Sequence, residues 1–169
     1  MVVVINGAIG TGKTTVAWEL LNLFERAVML DGDYFAAIQP FSIHSAQDLA
    51  YVYAGIAHQV TFHRAHGFEN FIINYVLETP EELQKLANVL PQDCGVLHKF
   101  VLVCEQQERE RRIRERKGDD VEWELSRSAQ LTEILAKNNA KYELGPEVDT
   151  TSLRVSEVAQ YIYERINKL

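Results

Sequence analysis

The first fifteen residues constrain this chain's fold more than any other stretch. Val2, Val3, Val4 and Ile5 form an apolar, β-branched run that reads as a buried parallel strand. The run breaks into Gly7-Ala8-Ile9-Gly10-Thr11-Gly12-Lys13-Thr14, which fits the phosphate-binding pattern G-x-x-x-x-G-K-S/T, the P-loop. Glycines let the backbone curl with its N–H groups inward, into a concave nest for phosphate oxygens. The candidate phosphate-binding residues are therefore Gly7, Ala8, Ile9, Gly10, Thr11, Gly12, Lys13, Thr14 and Thr15. Lys13 is suited to reach the β- and γ-phosphates as a mobile point charge, and the Thr14 hydroxyl is a candidate Mg2+ ligand. The helix expected next aims its positive end at the same anion. Strand before and helix after favour this over a glycine-rich turn with no ligand.

At 169 residues the chain is expected to be a single domain over 1–169, long enough to bury its own core. The net charge of −7 argues against a general nucleic-acid partner, because phosphate neutralisation needs basic surface. Cys94 and Cys104 make no disulfide framework, and Cys104, ending an apolar run, reads as a reduced core residue. The chain opens directly into the phosphate-binding strand, with no basic leader, and no apolar run approaches the ~20 residues of a membrane span. The expectation is a cytoplasmic protein with no membrane partner.

Val16, Ala17, Leu20, Leu21 and Phe24 recur at helical spacing and predict a first helix to about Glu25. Ala27 to Leu30 is a short strand ending in Asp31-Gly32-Asp33. Ser45 and Asp48 have helix-start chemistry, ahead of a long helix to about His66 that Gly67 ends. Phe68 to Val76 is the expected third strand. Thr79-Pro80-Glu81-Glu82 predicts a helix start with Thr79 as cap and Glu82 reaching back. Phe100 to Cys104 is a fourth strand, followed by a charged helix from Glu105 to Lys117. Gly118-Asp119-Asp120 breaks it before a helix over about Val121 to Ala136. Val148 to Thr150 is a fifth strand, and Val155, Val158, Ala159, Ile162, Ile166 and Leu169 mark a closing amphipathic helix. Strands alternating with helices call for a parallel sheet covered on both faces, with ligands beyond the strands' carboxyl ends.

Two constellations could carry chemistry there. A strand continuing through Asp31 and Asp33 would point both carboxylates to one face. One suits the Mg2+ shell, and the other suits accepting a proton from an attacking hydroxyl. Asp31, nearer the strand end, is the candidate metal residue with Thr14, and Asp33 the candidate for the acceptor. The third strand ends in Asn74 and Tyr75, with no carboxylate where a P-loop protein often has one, so the metal falls to Thr14, Asp31 and Asp33. The second constellation is the helix holding Arg109, Arg111, Arg112, Arg114, Arg116 and Lys117. Arg112 and Arg116 share a face; Glu108–Arg112 and Glu110–Arg114 are expected as i,i+4 pairs on a solvated surface. The functional reading is a lid over about 112–127 whose arginines close on the triphosphate, with Arg127 as a further member. His58, His63 and His66 lack the partners of a familiar metal spacing. Tyr51, Tyr53, Phe62 and Phe68 are expected in the core or pocket wall.

With those residues in view, the chain resembles P-loop kinases of small molecules, among them gluconate, shikimate and adenylylsulfate kinases and chloramphenicol phosphotransferase. Leu30-Asp31-Gly32-Asp33 resembles the D-G-D of gluconate and adenylylsulfate kinases. Ile5 to Thr14 is similar to the start of the ATP-binding tunicamycin-resistance group. Arg112-Ile113-Arg114-Glu115-Arg116 resembles that group's R-x-x-x-R lid, and Asp149-Thr150-Thr151 its ending. The resemblance implies a three-layer α/β/α fold of the nucleoside/shikimate kinase type, with a five-stranded parallel sheet of order 2-3-1-4-5. It implies ATP as donor with Mg2+, and adenine near Arg112 and the loop Thr150 to Leu153. It also implies that residues 34–68 supply the acceptor pocket, and nothing in them matches a substrate signature.

The expected activity is transfer of the γ-phosphate of MgATP to a hydroxyl of a small molecule, with Lys13, Asp33 and Arg116 as catalytic residues and Arg112 and Arg116 on the nucleotide. The alternatives are an ATP-binding resistance or switch protein without kinase activity, and a nucleoside or nucleotide kinase. The acceptor is unidentified, and monomer and homodimer both stay open. A GTPase switch would want N-K-x-D, and Asn138-Asn139-Ala140-Lys141 lacks the aspartate.

Overall fold

The architecture follows from where each strand can bury two apolar faces. In the computed structural model, which describes residues 1–118 and 120–168, the chain runs β1 (Val2–Gly7), α1 (Lys13–Leu21), β2 (Val28–Asp31), α2 (Asp33–Ala36), α3 (Ala46–Ala65), β3 (Phe71–Asn74), α4 (Pro80–Val89), β4 (Leu97–Val103), α5 (Gln106–Arg116), α6 (Val121–Asn138), β5 (Glu147–Asp149) and α7 (Val155–Asn167). Expectations placed on Asp119 in the helix break and on Leu169 at the closing helix lie outside the described residues.

All strand pairings are parallel, in the order β2-β3-β1-β4-β5, so β1 is central. Its side chains alternate between two cores, as a strand buried on both faces requires. Val2 and Val4 join α3, α4 and α6 through residues such as Val52, Ile56, Leu86 and Leu131. Val3 and Ile5 join α1 and α7 through Val16, Leu20, Val158 and Ile162. The helices thus form two layers around the sheet, the three-layer α/β/α arrangement expected. No helix among the described residues is long and apolar enough to cross a membrane.

Helix starts follow local chemistry. Ser45 Oγ accepts from the Asp48 N–H at 3.2 Å, and Thr79 Oγ1 from the Glu82 N–H at 3.2 Å. Glu82 does reach back, but to the Glu78 N–H, at 2.7 Å. Several boundaries differ from the sequence pattern. α1 ends at Leu21 rather than Glu25, since Leu23 and Phe24 N–H turn to carbonyls three residues back. β3 covers only Phe71–Asn74, the length over which it pairs with both β1 and β2. β2 stops at Asp31, and Asp33 opens α2, so the two carboxylates are not alternate residues of one strand. Tyr53 is buried as expected, whereas Tyr51 and Phe62 lie on the solvent face of α3. Cys94 and Cys104 are free and buried.

Candidate active site

The loop between β1 and α1 is shaped by backbone that only glycine adopts cheaply. Gly10 and Gly12 have φ of 87° and 94°. A Cβ on Gly10 would lie 2.7 Å from Arg109 Cγ and 2.8 Å from its carbonyl oxygen, so the loop packs directly on α5. Loop carbonyls are held by the scaffold: Ser128 Oγ donates to Ile9 O at 2.7 Å, and Thr150 Oγ1 to Thr11 O at 2.9 Å. Lys13 Nζ crosses the loop to Ala8 O at 3.2 Å. Gly12 caps α1 with no side-chain bond, leaving the first-turn N–H groups of Lys13, Thr14 and Thr15 without intrahelical partners. Gly7 and Thr11 serve the loop's shape, since their N–H groups are already bonded to Asn6 Oδ1 (2.7 Å) and Ala8 O (3.4 Å).

The carboxylates converge on this loop by a route other than strand alternation. Asp31 Oδ1 accepts the Asp33 N–H at 3.1 Å, turning the chain into α2. Asn74 Nδ2 donates both to Asp31 Oδ2 (2.7 Å) and to Thr14 Oγ1 (2.9 Å), and the Thr14 hydroxyl lies 3.5 Å from Asp31 Oδ2. Asn74 therefore ties the ends of β2 and β3 to the first turn of α1. Burial pushes the Asp33 carboxyl above its ordinary value and the adjacent Asp31 charge adds to this, while Lys13 and Arg116 oppose it. Lys13 is pulled down to about 8, chiefly by loss of solvent around its ammonium, with Asp33 and Asp31 resisting.

The arginines of α5 divide by face. Arg109 is buried, with Nε on Ser128 Oγ and Nη1 on Cys104 O, both at 2.8 Å, so it is a brace beneath the loop. Arg112 bonds Thr150 O (2.7 Å) and pairs with Glu108 (2.7 Å), as the spacing predicts. Arg114 does not pair with Glu110; its carboxylate partner is Glu122 on α6, at 3.6 Å. Arg116 pairs with Glu124 at 2.8 Å, and Arg127 with Glu78, so α6 supplies or neutralises charge along the same rim.

These groups surround one cavity of about 750 Å³. Lys13, Thr14, Arg112 and Arg116 line its loop end. Asp33, Tyr75, Glu78, Glu82, Ile43 and Leu49 also line it, with Trp123 and Arg127 from α6. Asp31 and Thr14 meet behind this lining through Asn74. Sequence reasoning missed Ser128, Asn74's bridging role, Glu78 and Glu82. For Ser128 the signal was absent, because its partner is 119 residues away. For Asn74 it was present, since a polar residue ending a buried strand marks the ligand edge. Glu82 was read as a cap alone, and its position over the cavity depends on tertiary packing.

The family model described as AAA domain matches residues 2–144. The chain belongs to that AAA-domain family. Its fold is similar to a sugar kinase from Janibacter sp. HTCC2649, with TM-score 0.71, 15% identity, and coverage of 98% of this chain and 94% of that one. It is also similar to the tunicamycin resistance protein of Deinococcus radiodurans (TM-score 0.67, 15% identity, 98% and 95% covered). A third likeness is to the APS kinase of Mycobacterium tuberculosis (TM-score 0.64, 20% identity, 98% and 96% covered). No curated protein sequence matches the chain. At these identities the likenesses show a shared P-loop kinase fold.

This AAA-domain chain has a donor set that suits a magnesium nucleoside triphosphate. The unpartnered N–H groups of α1 and the Lys13 ammonium form an anion cradle, with the Ile9 and Thr11 carbonyls turned away to Ser128 and Thr150. Thr14 and Asp31 are hard oxygen donors, of which Mg2+ needs only one or two from protein. Asn74 Oδ1 beside them is buried without a hydrogen-bond partner, as expected of a group that meets a bound water or ligand. His63 packs edge-on to Phe68, and His66 lies over Phe62 with Nδ1 2.8 Å from Phe62 O, so both belong to the end of α3.

Proposed function

We propose that this protein is a phosphotransferase that moves the γ-phosphate of MgATP to a hydroxyl of a small molecule. The observation that carries the reading is that Asp33, a carboxyl with a raised pKa, shares one cavity with the phosphate loop and Arg116. Kinases neighbouring in fold support the class of reaction.

The loop N–H groups and Lys13 would hold the phosphates, and Thr14 with Asp31 would hold Mg2+, which neutralises charge developing on the phosphate oxygens when bound. Asn74 keeps Thr14 and Asp31 in register through its two hydrogen bonds. Arg112, fixed to Thr150, borders the nucleotide. Asp33 sits at the open side of the loop and accepts the proton of the acceptor hydroxyl. Burial and the adjacent Asp31 charge raise its pKa, which makes it a better proton acceptor than an ordinary carboxylate. Arg116 exchanges its partner Glu124 for the phosphoryl oxygens as charge builds on them.

The test is ADP release by purified protein with MgATP, measured against panels of sugars, amino sugars, cyclitols and nucleosides, with mass spectrometry of the products. An acceptor-dependent rate with a phosphorylated product is expected. MgATP binding without acceptor-dependent ADP from any panel would contradict the reading.

A further inference from the structure

The end of the cavity away from the phosphate loop carries charge that phosphate transfer alone does not require. Glu78 and Glu82 line it, and the cation beside them, Arg127, is already paired with Glu78. Arg116 and Arg112, toward the loop, are paired with Glu124 and Glu108. Among the described residues no lining cation at the far end is free to meet an anionic group. Glu82 gives one oxygen to the Glu78 N–H at 2.7 Å, and its Oε1 has no protein partner among the described residues. A second observation is independent of these charges. Tyr53, 2% exposed on α3, has a hydroxyl with no hydrogen-bond partner. Its phenol lies in the field of Glu82, Tyr75 and Glu78 just behind the lining, with its ring edge-on to Tyr75 at 6.4 Å. A buried phenol without a partner calls for a polar group beside it, a water or a ligand. Tyr75 adds an aromatic residue to the lining, which suits a cation better than an anion.

We propose that the small molecule taken by this end of the cavity is an amine-bearing alcohol, its ammonium at Glu82 and Glu78 and its hydroxyl toward Asp33. The identity of the reaction rests on the phosphotransferase reading above, and the ligand's charge does not. A sugar acid or phosphorylated acceptor would bring a like charge beside Glu82 and Glu78, where Arg127 is already paired. Burial pushes the Glu82 carboxyl up, and an ammonium bound beside it offsets that loss of solvent.

Calorimetry on the full chain with Mg2+ and a non-hydrolysable ATP analogue tests this with two matched sets at neutral pH: glucosamine, glucose and glucuronate; 2-deoxystreptamine, myo-inositol and quinate. In at least one set the amine should bind about tenfold more tightly than its neutral partner, the order of one charge-assisted hydrogen bond, and the acid most weakly. Glu82→Gln, which keeps an oxygen for the Glu78 N–H, should bring amine and neutral to within about threefold of each other. Neutral or acid members binding as tightly as the amines in both sets would overturn the proposal. So would no binding by either amine, or a preference that Glu82→Gln leaves intact. Binding is read without turnover, so an amine that binds yet yields no ADP with MgATP counts against the phosphotransferase reading and leaves this one standing.

Discussion

Lys13 holds the residue-scale chemistry together, because its ammonium reaches the Ala8 carbonyl and lies in the field of both Asp33 and Asp31. Its place in the loop was legible from the glycine spacing alone, since the motif fixes where the side chain starts. Its lowered pKa was not, because that depends on enclosure by residues from other elements. The pKa gives a prediction with a definite sign. Lys13 is protonated below its value of about 8 and loses its charge above it, so kcat/KM for MgATP should fall as pH rises through that region. At the acid end, Asp33 must be ionised, and its raised pKa moves that limb above the usual carboxylate range. Lys13→Ala should weaken MgATP binding roughly 10–100-fold, the scale of a hydrogen bond from a charged group, and should lose the pH dependence of that binding between about pH 7 and 9. Binding titrations at stepped pH check it; an alkaline fall that survives in Lys13→Ala would assign the limb to another group. Asp31 and Asp33 show the limit of local pattern. Their place beside the loop was readable, but the turn into α2 after Asp31 came from a backbone hydrogen bond that no alternation rule anticipates.

At the scale of elements, α5 gives the cavity Arg112 and Arg116 and uses its faces for different ends. Helical spacing gave the helix and the Glu108–Arg112 pair. It did not separate Arg109, sealed under the loop, from Arg116 at the rim, because burial here is set by the missing Cβ of Gly10 and by Ser128 on α6. Likewise Arg114 finds its partner across to α6 rather than along its own helix. Arg116 lines the cavity and is held by Glu124, an arrangement that stores the guanidinium near the phosphate end without committing it. Arg116→Ala should therefore lower turnover by about 10²-fold, the scale of removing one preorganised donor from a transition state. MgATP affinity should change by less than about tenfold, since the charge it meets is greatest in the transition state. Steady-state kinetics beside direct MgATP binding separates the two effects. Equal losses in both would make α5 a nucleotide-binding element only.

For the whole molecule, a central strand buried on both faces brings the ends of β1, β2 and β3 to one edge, where loop, carboxylates and Asn74 meet. Alternating strands and helices were enough to expect the parallel sheet, and its order 2-3-1-4-5 followed from resemblance rather than from periodicity. The cavity wall beyond the loop stayed illegible because Tyr75, Trp123 and the Glu78–Glu82 pair come from separate elements. The central claim is that this architecture sets Asp33 to accept a proton from a hydroxyl attacking the γ-phosphate. The direct measurement is single-turnover transfer of labelled γ-phosphate to an acceptor by wild type and by Asp33→Asn, with MgATP binding followed in parallel. Asp33→Asn should bind MgATP within about threefold of wild type and lose about 10²–10⁴-fold of the transfer rate, the range of a positioned general base. Transfer by Asp33→Asn at near the wild-type rate would contradict that claim.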